Sequence, residues 1–358
     1  MLHYLLNKSF YALLTLFGVV TVIFFLFNVL PGDPAQMMLG QNEDSEQLAI
    51  LKEKYGFDKP IGTQYLYYLN DLSPVSFHSK TESDYTFLNP KKYSAASLFS
   101  VGNTTVALKV PYLRESFTKQ GKKVSDVLAE TLPNTFVLAV SSIILAMLIG
   151  VVLGIVSALK KDTWIDKGIQ VFSTMGMSVP SFFSAILFAW IFGYVFHKYT
   201  HLEMTGSLYE LDDFGERIHI RWKNLILPAL VLGIRPLAVV IQLMRNSLLE
   251  VFNQDYIRTA RAKGLSELQI IKHHAIKNAL NPVVTAISGW FASMLAGAVF
   301  VEYVFGWNGL GKEIVNALNT LDLPVIMGAV LIIALLFIII NIFVDIIYAW
   351  LDPKVKLQ

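Results

Sequence analysis

The sequence predicts an all-α polytopic membrane protein with six transmembrane helices and an enlarged loop region after the first. Three observations predict it. The chain is 54% hydrophobic and only 16% charged. Its apolar residues gather in six runs, 10–30, 134–159, 169–196, 225–244, 282–304 and 325–350. Each is near the ~20 residues a helix needs to cross a hydrocarbon layer of roughly 30 Å. None alternates apolar and polar residues as a barrel strand does. Backbone groups in lipid must bond within their own segment, so these runs are helices.

The net charge of +2 says little, but its distribution orients the chain. Lys160, Lys161 and Lys167 lie in one short loop, and Arg245, Arg258, Arg261, Lys263, Lys272 and Lys277 in the next but one; Lys354 and Lys356 lie in the tail. The loop 306–324 carries only Lys312 as a cation. Basic residues concentrate in cytoplasmic loops, so both termini and the loop 245–281 are expected in the cytoplasm. The first run is longer than a signal-peptide core and has no small-x-small cleavage site after it, so it reads as an uncleaved anchor, 1–30. With no cysteine, disulfides, thiolate metal sites and thiol nucleophiles are excluded.

Span one stops at Pro31-Gly32-Asp33-Pro34, where prolines and glycine forbid more helix. The external region 31–131 follows. Asp44 or Ser45 caps a helix over 46–55 that Gly56 ends, and a second helix starts at Pro60 with Tyr65, Leu66, Tyr68 and Leu69. Residues 106–110 suit a short strand, and Ser125 opens an amphipathic lead-in to span two. The membrane core is 132–350 and the tail 351–358. Gly150, Gly154 and Ala158 recur every four residues in span two, a stripe that fits close helix packing. Gly289, Ser293 and Gly297 recur likewise in span five, where packing and the lining of a translocation pathway fit equally. Pro180 should kink span three.

The loop after span four is polar and basic. Tyr256, Ala260 and Ala262 sit at helical spacing before Gly264; Leu265, Leu268, Ile271 and Ile276 follow it. Gly264 is the natural break, and Ser266 with Gln269 has the spacing of a capping box. This predicts a helix–turn–helix near the membrane surface. Attachment to anionic lipid fits it as well as a protein contact does.

The run Arg258-Thr259-Ala260-Arg261-Ala262-Lys263-Gly264, followed by His274 through Pro282, resembles the EAA loop of ATP-binding-cassette importer permeases, in the dipeptide/oligopeptide (peptide/nickel) branch. The general pattern wants an acid and alanine where Arg258 and Thr259 stand, a departure common in that branch. Tyr55-Gly56-Phe57, Ser178-Val179-Pro180-Ser181-Phe182, Leu227-Pro228-Ala229-Leu230, Gly297 through Glu302, Gly309-Leu310-Gly311 and Asp322-Leu323-Pro324-Val325 are similar to the family in order and spacing. Residues 72–123 match poorly and read as an insertion. Asn308 stands where the family usually has proline, which implies a looser turn.

The resemblance implies a type I importer permease fold in a bacterial cytoplasmic membrane. It implies as partners a second homologous permease, two cytoplasmic ATPase subunits and an extracytoplasmic solute-binding protein. Ala260, Arg261, Ala262, Gly264, Leu265 and Ser266 would form the ATPase contact. The chain would carry no catalytic residue, metal site or cofactor, because ATP and magnesium would be bound by the ATPase. Di- or oligopeptides are the implied solute, with nickel, a metal chelate or glutathione as alternatives. Membrane lipid is an expected partner and nucleic acid is not. An ion-coupled transporter or channel would want inverted repeats and midplane acids, and the sequence offers neither.

Three further features need weighing. Gly306 through Lys312 has the spacing of a phosphate-binding loop, but Glu313 replaces the Ser or Thr that would hold magnesium. Arg235 lies mid-span before Pro236. It either faces the pathway, where it would hold a peptide carboxylate, or pairs inside the bundle with Asp345 or a carbonyl freed by Pro236. Glu302 and Asp345 read as structural.

Overall fold

The computed structural model describes residues 2–29, 35–36, 45–119, 121–211 and 217–351. The Pro31–Pro34 stop, the Asp44 cap and the tail 352–358 lie outside the described residues. Among those described, Lys8–Asn28, Val124–Leu159, Lys223–Phe252 and Leu323–Ile346 are long and apolar enough to cross a membrane. Two further pairs, Trp164–Ser178 with Ser181–Val195 and Glu267–Leu295 with Val299–Phe305, pass the same test but bend by 109° and 60°. Counting each pair once gives the six expected spans. Span three is broken rather than kinked. Val179 donates the last bond of one helix to Met175, and Ser184 donates the first of the next to Pro180. Pro180 has no N–H with which to bridge the two.

In chain order the elements are α1 (Leu2–Val29), α2 (Ser45–Tyr55), α3 (Ile61–Leu72), β1 (Val75–Ser79), β2 (Ala95–Val101), β3 (Thr104–Lys109), α4 (Val124–Leu159), α5 (Trp164–Ser178), α6 (Ser181–Phe188), a π-helical stretch Ala189–Val195, α7 (His197–Thr200), β4 (Tyr209–Leu211), β5 (Ile218–Ile220), α8 (Lys223–Phe252), α9 (Asp255–Ala262), α10 (Glu267–Ile270), a second π stretch Ile271–Ala275, α11 (Ile276–Gly297), α12 (Val299–Phe305), α13 (Leu310–Asn319) and α14 (Leu323–Leu351). They divide into two compact units. One is Met1–Ser9, Thr131–Glu313 and Leu335–Gln358; the other is Phe10–Glu130 and Ile314–Ala334.

In the first unit the glycine stripe of α4 packs on α8, as its spacing predicts. A methyl placed on Gly150 would lie 2.7 Å from Val240 Cγ1, and one on Gly154 would lie 2.7 Å from Met244 Cβ. At the α5 end of this contact, buried Asp166 takes two bonds from Arg245, Nη2 to Oδ2 at 2.7 Å and Nε to Oδ1 at 2.8 Å. Ser157 and the Asp162 N–H also donate to Asp166. Asp345 pairs with Lys8, so the expected Arg235–Asp345 pair is not formed.

The second unit holds more strand than the sequence predicts. β1, β3 and β2 form an antiparallel sheet in that order, with Val75 opposite Leu108 and Val101 opposite Thr104 across the Gly102-Asn103 turn. The sheet and α3 converge on Asp71, which is 1% exposed. Its carboxylate accepts from Tyr93 (2.8 Å), Tyr85 (3.2 Å) and Arg114 Nε (3.0 Å), and its carbonyl from Lys109. Burial pushes Lys92 and Lys109 down to about 8, and raises the Tyr85, Tyr93 and Tyr112 hydroxyls. Asp322 accepts from Thr118 Oγ1 (2.8 Å) and the Phe117 N–H (3.1 Å), tying this loop to the start of α14. Phe24 of α1 stacks on Tyr68, with Ile23 and Met327 in the same cluster.

Candidate functional site

Two places in the first unit bring candidate residues together. At the first, α9 ends at Ala262 and the backbone turns through Gly264 at φ +79°. A methyl on Gly264 would meet no atom within 4 Å, so the turn needs glycine for its backbone angle and not for space. Ser266 then caps α10 reciprocally with Gln269, as the spacing predicts. Arg261 Nε reaches across the turn to Glu267 at 2.9 Å.

The faces of this helix–turn–helix differ from the sequence reading. Ile257, Ala260, Ile270 and Ala275 are the buried positions, packed in one cluster with Met244, Leu248, Val251 and Val283. Ala260 is therefore turned to the protein's own core. Tyr256, Leu265 and Leu268 stand out instead, at 42%, 36% and 75% exposure. The helix resumes at Glu267 and passes through the π stretch, which shifts the register by about one residue; counting from a strict 3.6-residue period therefore misplaces Ile271 and Ile276. Arg261, Ala262, Gly264, Leu265 and Ser266 are all exposed. The loop thus exposes two apolar side chains, Leu265 and Leu268, along with the basic Arg258, Arg261 and Lys263.

At the second place, the α5–α6 break, the middle of α8 and the face of α11 line a small cavity of about 80 Å³. Val179, Ser181 and Ser184 come from the break, Arg235 and Pro236 from α8, and Trp290 and Ser293 from α11. Gly289 lies on the same exposed face, and a methyl there would meet nothing within 4 Å. Gly297 ends α11, and its surroundings lie outside the described ones. The Gly289–Ser293 pair therefore does not serve helix packing among the described residues, unlike the stripe on α4. Arg235 is exposed and has no hydrogen bond or ion pair among the described residues. An arginine at the centre of an apolar span costs about 2.5–3.5 kcal/mol by insertion scales, a cost that no hydrogen bond or ion pair among the described residues offsets. Trp290 and Ser184 were not singled out from sequence, and Ser181 only as part of the motif around Pro180. Their signal is local: Trp290 sits one turn before Ser293, and Ser181 follows the span-breaking proline.

The phosphate-loop spacing at Gly306–Lys312 proves to be a different device. A helix precedes it, and the N–H groups of Gly311 (2.6 Å) and Lys312 (3.2 Å) donate to the carboxylate of Glu302, which is fully buried. The anion-binding end of α13 is filled from within. Methyls on Gly309 and Gly311 would strike Glu302 and the Val299 backbone. Asn308 does not loosen the turn. Its N–H donates to Ser207 Oγ at 3.1 Å, a bond proline cannot make, and its Oδ1 accepts from Lys312 at 2.8 Å.

Residues 150–357 match the family described as binding-protein-dependent transport system inner membrane component, and residues 1–83 match its N-terminal counterpart. Over 99% of this chain and 100% of the relative, the sequence is 31% identical to the dipeptide transport system permease protein DppB of Alkalihalophilus pseudofirmus. It is 31% identical to the di/tripeptide transport system permease protein DppB of Pseudomonas aeruginosa, over 96% of each chain. It is 30% identical to the glutathione transport system permease protein GsiC of Salmonella choleraesuis, over 99% of each.

Proposed function

This chain belongs to the family of binding-protein-dependent transport system inner membrane components, and we propose that within it the protein carries short peptides across the bacterial inner membrane. The observation that carries this reading is end-to-end similarity to dipeptide and di/tripeptide permeases. Glutathione, the cargo named for another relative, is itself a short peptide and falls in the same chemical class.

The exposed loop tip is the seat for the ATPase. Leu265 and Leu268 supply apolar area, Arg258, Arg261 and Lys263 supply charge, and Gly264 sets the angle between α9 and α10. Ala260 holds the loop to α8 from beneath. The basic loops support a cytoplasmic side for this seat and both termini, and the opposite side for the sheet-bearing region. Two ATPases closing on ATP would push the seats of this chain and of a second permease, and turn a cavity between the permeases outward toward a solute-binding protein. The Asp166–Arg245 clamp lies on the same helix as the seat's core residues Met244 and Leu248, so force on the loop reaches α5 through a bidentate contact. Gly289, Ser293 and Arg235 line the route.

Competition uptake tests the reading. Cells with this subunit should accumulate labelled dipeptide, unlabelled tripeptide and glutathione should compete, and cells without it should lose the uptake. Nickel uptake that depends on the subunit, with no peptide uptake, would overturn the peptide assignment.

A further inference from the structure

The second place described above, in the middle of the first unit, combines features that packing alone does not require. Arg235 is its only ionisable lining residue. It stands near the middle of an apolar helix, exposed and without a partner among the described residues. Pro236 has no N–H, so the carbonyl of Leu232, a residue of the lining, lacks its helical donor. Opposite, α6 begins immediately after Pro180, so the Ser181 to Phe183 N–H groups have no acceptor within the helix. A broken helix near the middle of a transport protein aims such ends at charged cargo.

We infer that Arg235 is the counter-charge for the carboxylate terminus of the peptide in transit, with the Ser181 and Ser293 hydroxyls as neutral donors beside it. The inference rests on the peptide reading. The cavity suits one carboxylate and not a whole peptide, so the rest of the cargo lies along the open face past Gly289. The Leu232 carbonyl accepts an N–H from the cargo backbone. A single exposed cation holds an anion weakly enough to let it leave, which transit requires. The same charge repels a bare metal cation. Discrimination thus occurs in the permease itself, after the solute has left any binding protein.

The test uses the complete transporter in proteoliposomes, with trialanine and trialanine amide each at a concentration that saturates the binding protein. The readout is the ratio of acid to amide transported, taken within each preparation so that differences in assembly cancel. Wild type should favour the acid. Arg235→Gln should reduce that ratio by about tenfold or more, the loss expected for one charge-assisted hydrogen bond, and Arg235→Lys should keep most of it. An unchanged ratio in Arg235→Gln overturns the inference while leaving the peptide reading intact. Wild type importing neither peptide removes the reading and the inference together.

Discussion

Gly264 holds a left-handed backbone angle that a β-branched residue resists, at a cost of about 1–2 kcal/mol. Gly264→Val should leave membrane insertion intact, since the turn lies outside the apolar spans, but should misalign α9 and α10. The expected outcome is uptake reduced severalfold with ATP hydrolysis no longer stimulated by solute. Normal solute-stimulated hydrolysis in that variant would remove the loop from the coupling role. Glu302 poses a second single-residue question. Glu302→Gln keeps an acceptor for the Gly311 N–H, whereas Glu302→Ala strands that buried N–H, worth about 1–3 kcal/mol, and the half-buried Lys312 N–H beside it. The alanine variant should therefore melt well below the glutamine variant in detergent. Equal melting temperatures would mean that the α12–α13 turn is held by something other than this carboxylate.

Among the helices, the α4–α8 contact depends on glycine. Gly154→Leu forces a side chain into Met244, and overpacking of this kind costs about 1–3 kcal/mol. Its thermal midpoint should fall, while Gly289→Leu, on an open face, should leave stability unchanged. The α4 stripe could be read from spacing because the residues that need to be small are small. The break at Pro180 was legible as to position but not as to size, since a missing N–H says nothing of the 109° that the chain then turns. β2 escaped notice because all seven of its residues are exposed and so carry no alternation; Gly102-Asn103, a two-residue hairpin turn, was the available signal. In the loop, the π stretch Ile271–Ala275 shifted the buried face, and no single-sequence period reveals an extra residue per turn.

At the scale of the whole molecule, long apolar runs fixed the membrane architecture, and the family's motifs in order fixed the assignment that the comparisons then bore out. Neither foretold the second unit's organisation, because Asp71, Tyr85, Tyr93, Lys109 and Arg114 converge only in three dimensions. That unit should have a marked pH profile. Lys92 and Lys109 titrate at about 8 when folded and near 10.4 unfolded. Between those values the unfolded chain binds more protons, so stability climbs with pH. The tyrosines run the other way. Their hydroxyls are raised in the fold, so above about 10 the unfolded chain sheds protons that the fold keeps, and stability drops. Near-UV circular dichroism melts at pH 7, 9 and 11 should show the maximum at the middle value, and Lys92→Met should flatten the rising limb. Asp71→Asn leaves Arg114 buried without its carboxylate and should cost about 3–5 kcal/mol in the same melts. Small units of this size are often held by sulfur bridges, which dithiothreitol opens and which oxidoreductase chaperones must install. This one hangs on a carboxylate among phenols instead, so reductant should leave its melt untouched, and it can be made without an oxidising compartment.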